Sequence, residues 1–195
     1  MKVQEHNCSE IGQSYFYGVA RRKNYRKAFP YLLEAAKLED IHCQNLVGYC
    51  YDLGLGVEKN IPLAFFWYRK AARRDHVEAL FNLALFHELG IGVEKDHKKA
   101  FAYYQRAAEL GDYAAQCNLA VSYLEGLGTK QDLAKGVEWM RKAAQKGNPK
   151  AQYNLGTAYL DGEGVRPNAR YAKAWLEKAA KQGHKRAINT LRRIR

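Results

Sequence analysis

AQYNLGTAYLDGEGVRPNARYAKAWLEKAAKQGH, residues 151–184, decides how the whole chain is read. In its first half Ala151, Leu155 and Tyr159 recur every four residues, the period of an amphipathic helix. Gly162 and Gly164 then permit the positive φ that ends such a helix. Asn168 follows, a residue whose side-chain oxygen can accept a bond from a free backbone N–H and open a second helix. That helix carries paired small residues, Ala179 and Ala180, where a neighbouring helix can approach closely, and it stops at Gly183.

Shifting the chain by 36 residues brings CQNLVGYCYDLGLGV (from Cys43), ALFNLALFHELGIGV (from Ala79) and AQCNLAVSYLEGLGT (from Ala115) into gapless register with Ala151 onward. A weaker copy starts near Asn7, and AINTLRRIR, from Ala187, reads as the first helix of an uncompleted unit. Self-similarity at this period means stacked units. The expected fold is all-α, an α-solenoid of five 36-residue helix-turn-helix repeats (7–42, 43–78, 79–114, 115–150, 151–186) plus a partial sixth helix, 187–195. All of it is read as one domain.

The second-helix caps Asn24, Asn60, Asp96, Asp132 and Asn168 keep strict register, as do five alanine pairs beginning at Ala35, Ala71, Ala107, Ala143 and Ala179. Two core ladders are expected, Ile11-Val47-Leu83-Leu119-Leu155-Leu191 and Tyr31-Trp67-Tyr103-Trp139-Trp175. Glu39 and Asp75 stand where later copies have Gly111, Gly147 and Gly183, so those two helix ends should be less sharply terminated.

These residues resemble the Sel1-like repeat, a relative of the tetratricopeptide repeat. The resemblance rests on the glycine turns and on Lys173, Ala174, Trp175, Lys178, Ala179, Ala180 and Gly183, and it covers nearly the whole chain. It implies a non-enzymatic protein-binding scaffold or adaptor. Related proteins include regulators and, in bacteria, host-interaction and immunity proteins; an immunity or inhibitor protein against a toxic effector is therefore the alternative. The chain lacks the paired cysteines of the cysteine-rich subgroup, so no disulfide-stapled form is implied.

A helical wheel on 151–161 puts Tyr153, Thr157 and Leu160 opposite Ala151, Leu155 and Tyr159. In proteins similar to tetratricopeptide arrays that second side lines a concave groove. Carried through the repeats, it selects Gln13, Tyr17, Asn45, Tyr49, Asp52, Phe81, Asn82, Glu88, Asn118, Glu125, Tyr153, Asn154, Thr157 and Asp161 as partner-binding candidates. Aromatics mixed with amides suit a protein or peptide partner.

Of 195 residues, 47% are apolar and 27% charged, an ordinary folded composition. The net charge is +12, with most of the excess from Ala115 onward. Lys181, Lys185, Arg186, Arg192, Arg193 and Arg195 form a candidate patch for nucleic acid or an anionic surface. Acids on the expected groove place nucleic acid behind a protein partner.

Cys8, Cys43, Cys50 and Cys117 match no zinc or disulfide spacing, the six histidines include no HExxH pair, and no nucleophile motif occurs. No catalytic residue, metal or cofactor is expected. Oligomeric state is left open. No window is apolar enough to span a bilayer and no secretory signal precedes the repeats, which reads as cytoplasmic, or as periplasmic or secreted if an export signal was replaced by a single Met.

Overall fold

The computed structural model describes residues 2–194, with side chains from Asn7 onward. The described residues form helices and turns without a strand: α1 (Lys2–Tyr17), α2 (Tyr25–Lys37), α3 (Ile41–Leu53), α4 (Ile61–Ala72), α5 (Val77–Leu89), α6 (His97–Glu109), α7 (Tyr113–Glu125), α8 (Leu133–Gln145), α9 (Pro149–Asp161), α10 (Ala169–Lys181) and α11 (Lys185–Arg193). They fall into two compact units, Met1–Asp96 and His97–Arg195. Within each, consecutive helices pack antiparallel-hairpin fashion, each odd-numbered helix against the even-numbered helices that flank it.

Each hairpin is closed by the same local chemistry. Gly54, Gly90, Gly126 and Gly162 end the odd helices in the left-handed conformation. Four of the expected caps, Asn24, Asn60, Asp132 and Asn168, accept the backbone N–H of the third residue on. The backbone N–H of all five cap residues also returns to the preceding helix, as in Asn60 N to Tyr51 O at 2.8 Å and Asn168 N to Tyr159 O at 2.8 Å. The odd helices have caps that the sequence reading did not pick out: Asp40, Asp112, Asn148 and His184 each accept a backbone N–H.

The second glycine of each turn sets how repeats stack. A Cβ on Gly56 would fall on the Tyr25 carbonyl, on Gly128 on the His97 carbonyl, on Gly164 on the Leu133 carbonyl, and on Gly92 on the Ile61 side chain. Each turn thus sits on the first residue of the preceding even-numbered helix. In the first of these repeats the equivalent residue is Ala20, also left-handed at φ 60° and exposed.

Buried amides add a second link. The Nε2 of Gln44 donates to Ala36 O at 3.2 Å, that of Gln116 to Ala108 O at 3.2 Å and that of Gln152 to Ala144 O at 3.1 Å. Each of these carbonyls also accepts a backbone N–H from the turn that follows it, from Glu39, Gly111 and Gly147 respectively, so the amide is a second donor that ties the odd helix to the helix before it.

Three expectations are corrected. Glu39 and Asp75 end their helices as sharply as glycine does, at φ 69° and 61°, and so carry backbone strain of about 1 kcal/mol each. At Glu39 the carboxylate meets Lys70 Nζ at 2.7 Å and Gln44 Nε2 at 3.1 Å, contacts that help hold the turn.

The aromatic ladder is displaced by one residue. Leu32, Tyr68, Tyr104, Met140 and Leu176 are the deeply buried column, at most 3% exposed, whereas Tyr31 is 39% exposed. Trp67 is buried, but Trp139 and Trp175 are only half-buried, each under a lysine ammonium, Lys142 at 3.8 Å and Lys178 at 4.1 Å from the ring centre. In the other ladder Val47, Leu83, Leu119 and Leu155 are buried, and the terminal Ile11 and Leu191 half-buried. Leu160, expected on the groove side, packs instead with Leu176 and Ala179 of its own hairpin.

Tyr68 fits because Gly48 faces it; a Cβ there would lie 2.7 Å from the ring. Its hydroxyl donates to Asp52 Oδ2 at 3.5 Å. Burial lifts the Asp52 carboxyl above its ordinary value, against the pull of Lys59 and the Tyr68 hydroxyl.

Two outcomes follow for denaturation experiments. Gly56→Ala is expected to cost about 2 kcal/mol or more, since it combines left-handed strain with a backbone clash, while Ala20→Gly should add about 1 kcal/mol by removing strain alone. Urea midpoints of the two variants, moving in opposite directions, check this. Because a lifted carboxyl contributes stability below its unfolded-state value and loses it as pH rises through the folded value, Asp52→Asn should melt above the parent at pH 7 and level with it near about pH 3. Thermal scans at both pH values measure the difference.

Candidate functional site

In the unit His97–Arg195, α7, α8 and α9 enclose a hollow of about 210 Å³ lined by Leu124, Val137, Met140, Asn154, Thr157, Ala158 and Glu163. A smaller depression adjoins it, lined by Cys117, Asn118, Val121, Lys150 and Ala151 and sharing Met140 and Asn154. The space has a local cause. Position 140 holds an unbranched Met where the register places the larger Tyr68 and Tyr104 in other repeats. Gly136 replaces the alanine of its register, and a Cβ there would press on Leu124.

Three of the expected groove residues, Asn118, Asn154 and Thr157, line this continuous depression. The hydroxyls beside the amides are committed to backbone: Ser122 Oγ donates to Asn118 O at 3.0 Å and Thr157 Oγ1 to Asn154 O at 2.9 Å. The side-chain amides of Asn118 and Asn154 are half-buried and make no hydrogen bond among the described residues. Tyr153 is less available than expected, because its ring stacks on His184 at 4.7 Å between centroids. Glu125 and Asp161 are exposed at the ends of α7 and α9.

In the unit Met1–Asp96 the expected residues divide differently. Gln13 is committed, donating to Ser9 Oγ at 2.9 Å, and Ser9 donates to Asp40 Oδ2 at 2.8 Å. Asn45, expected as a partner-binding residue, is only 7% exposed. Asp52 accepts from Tyr68, and Tyr17 reaches His42, its Oη 3.0 Å from Nε2. Phe81, Asn82 and Glu88 are half-buried on α5, while Tyr49 stays exposed on α3. Sequence reasoning passed over Leu53 and Leu89, which with Tyr17 form an exposed apolar column, 49% to 63% accessible, in the register of Glu125 and Asp161. Their spacing of 36 was the available signal.

Lys181, Lys185, Arg186, Arg192 and Arg193 are all exposed on or beside α10 and α11, and none makes an ion pair among the described residues. Arg195 lies outside the described residues.

The four cysteines are free thiols. Burial pushes Cys43 and Cys50 up to about 12 and Cys117 up to about 11, so these three stay protonated near neutrality and lack the thiolate that nucleophilic chemistry requires. Among the described residues no group of three or more His, Cys, Asp or Glu could hold a metal ion, and no helix is long and apolar enough to cross a membrane.

Comparison with known proteins agrees with this geometry. No curated protein matches the chain. Among solved structures, a Sel1 repeat protein from Oxalobacter formigenes is 35% identical with a TM-score of 0.87, over 96% of this chain and 76% of that one. The protective antigen c5321 of uropathogenic Escherichia coli is 26% identical with a TM-score of 0.92, over 96% of this chain but 40% of its own length. Immunity protein Pa5087 of Pseudomonas aeruginosa, at 17% identity and TM-score 0.53 over 95% of this chain and 67% of that one, shares the fold alone. The Sel1 repeat profile matches residues 8–40, 41–76, 77–112, 114–148 and 149–184. With five matched repeats across most of its length, the chain belongs to the Sel1 repeat family.

Proposed function

We propose that this protein is a non-enzymatic scaffold that holds an extended segment of a protein partner against the inner side of its helix array. One observation carries the reading: Asn118 and Asn154 present half-buried, unpartnered amides beside an apolar hollow floored by Met140 and Val137. A carboxamide offers both a donor and an acceptor, the complement of a peptide unit. Two of them on neighbouring odd helices fix the backbone of a segment, while the hollow, deep enough for one aliphatic or aromatic side chain, selects its sequence. The flexible Met140 lets that hollow adapt.

Glu125, Asp161 and Glu163 surround the site with negative charge, which favours a segment bearing lysine or arginine near the anchor. The exposed cations of α10 and α11 serve, in this reading, as a separate electrostatic contact with an acidic region of the same partner.

A photo-crosslinking residue placed at Thr157 is expected to capture the partner, and the same residue at the exposed Glu138 of α8 is not. With the partner in hand, Asn118→Ala combined with Asn154→Ala should weaken binding about tenfold, the worth of one to two hydrogen bonds, with helicity and melting unchanged. Equal capture from both positions, or full affinity in the double variant, would refute the assignment.

A further inference from the structure

One cluster in the unit Met1–Asp96 plays no part in the proposed groove. His42, in the first turn of α3, and His76, immediately before α5, come from adjacent repeats and turn their rings toward each other, with centroids 5.6 Å apart and planes inclined by 33°. Nδ1 of His42 lies 3.3 Å from Nε2 of His76. On the outer sides, Tyr17 Oη lies 3.0 Å from His42 Nε2, and Glu78 Oε2 lies 3.3 Å from His76 Nδ1.

The inner separation is informative. It is longer than a good hydrogen bond from a ring N–H, about 2.7–3.2 Å. It equals the edge of a zinc tetrahedron, about 3.3–3.4 Å when the Zn–N bonds are about 2.0–2.1 Å. The outer partners also suit such a site, since a ligating histidine characteristically gives its other ring N–H to a carboxylate or another oxygen. Tyr17 stands in that place beside His42; the His76 Nδ1 makes no hydrogen bond and lies 3.3 Å from the Glu78 carboxylate.

We propose that His42 and His76 form a two-histidine site for a zinc-type divalent cation, clamping α3 to α5 across adjacent repeats. The His42 Nδ1 and His76 Nε2 lone pairs supply two ligands, and water would take the remaining positions beside these half-buried rings. Binding requires both inner nitrogens to be unprotonated, with the protons on His42 Nε2, facing Tyr17, and on His76 Nδ1, facing Glu78. Asp40 and Glu78 supply negative charge nearby, offsetting the positive ends of the two helices. Removing His76 costs no helix cap, because its side chain makes no capping bond.

The alternative occupant of the gap is a proton, in a chain running from Tyr17 through His42 and His76 to Glu78. Zinc titration of the full-length chain separates the two. It is run under reducing conditions in a Cys8→Ser, Cys117→Ser background, so that the half-buried thiols do not compete. One equivalent of Zn2+ is expected to bind, shifting the imidazole nitrogen resonances of His42 Nδ1 and His76 Nε2 before those of any other histidine. His42→Ala and His76→Ala should each weaken binding more than about tenfold by calorimetry. The nitrogen shifts, read on a chain with both histidines intact, keep the test valid should either alanine variant fold poorly. Absence of binding at millimolar Zn2+, or binding that survives in both histidine variants, overturns the site.

Discussion

The seating of each inter-helix turn on the start of the preceding even-numbered helix is the constraint on which the rest of this structure depends. At Gly56, Gly128 and Gly164 the backbone of one repeat comes so near a carbonyl of the previous one that a single methyl group would not fit. Contact at that distance fixes both the spacing and the rotation between neighbours. Within each unit, residues mounted on neighbouring odd helices inherit their alignment from this seat. The buried glutamines that reach Ala36, Ala108 and Ala144 add a second donor to carbonyls already bonded within the turn, and so tie each of these odd helices to the helix before it.

Much of this architecture was legible because it is written redundantly. Helical period, turn glycines and cap residues each recur every 36 residues, and agreement among five copies turns weak local preferences into one consistent reading. The family follows from the same redundancy. What a single repeat could not reveal is what its neighbour covers. Asn45 looks open on a helical wheel and is buried in the stack. Tyr153 looks free and is stacked by His184. Leu160 lies on the side of its wheel away from Leu155 and is nonetheless packed against Leu176, Ala179 and Ala187.

The displaced ladder has a different cause. Tryptophans catch the eye in a repeat, yet their large amphipathic rings sit at the margin, where a lysine stem can cover the exposed face. The adjacent position, with its changing Leu, Tyr and Met, looks irregular in sequence because each side chain is fitted to the residue opposite: Tyr68 to Gly48, Leu176 to Gly156. Variation there marks complementary packing. It also explains the hollow around Met140, where a less bulky side chain has no enlarged neighbour to fill the difference. The His42 and His76 pair was hidden for a related reason, since its members lie 34 residues apart in different copies and no motif of either copy contains both.

A turn that rests only on the hairpin just before it has a consequence for how such a chain can change over time. Duplication or loss of one full 36-residue segment between two seats would join surfaces that already fit, whereas a gain of a few residues inside a turn would lift it from its support. Recombination between like copies in the coding sequence can therefore lengthen or shorten the protein in whole steps, and point substitution can diversify the odd helices without disturbing their spacing. Ala20, left-handed and exposed where the other copies have a glycine, shows how a position free of that steric pressure can change.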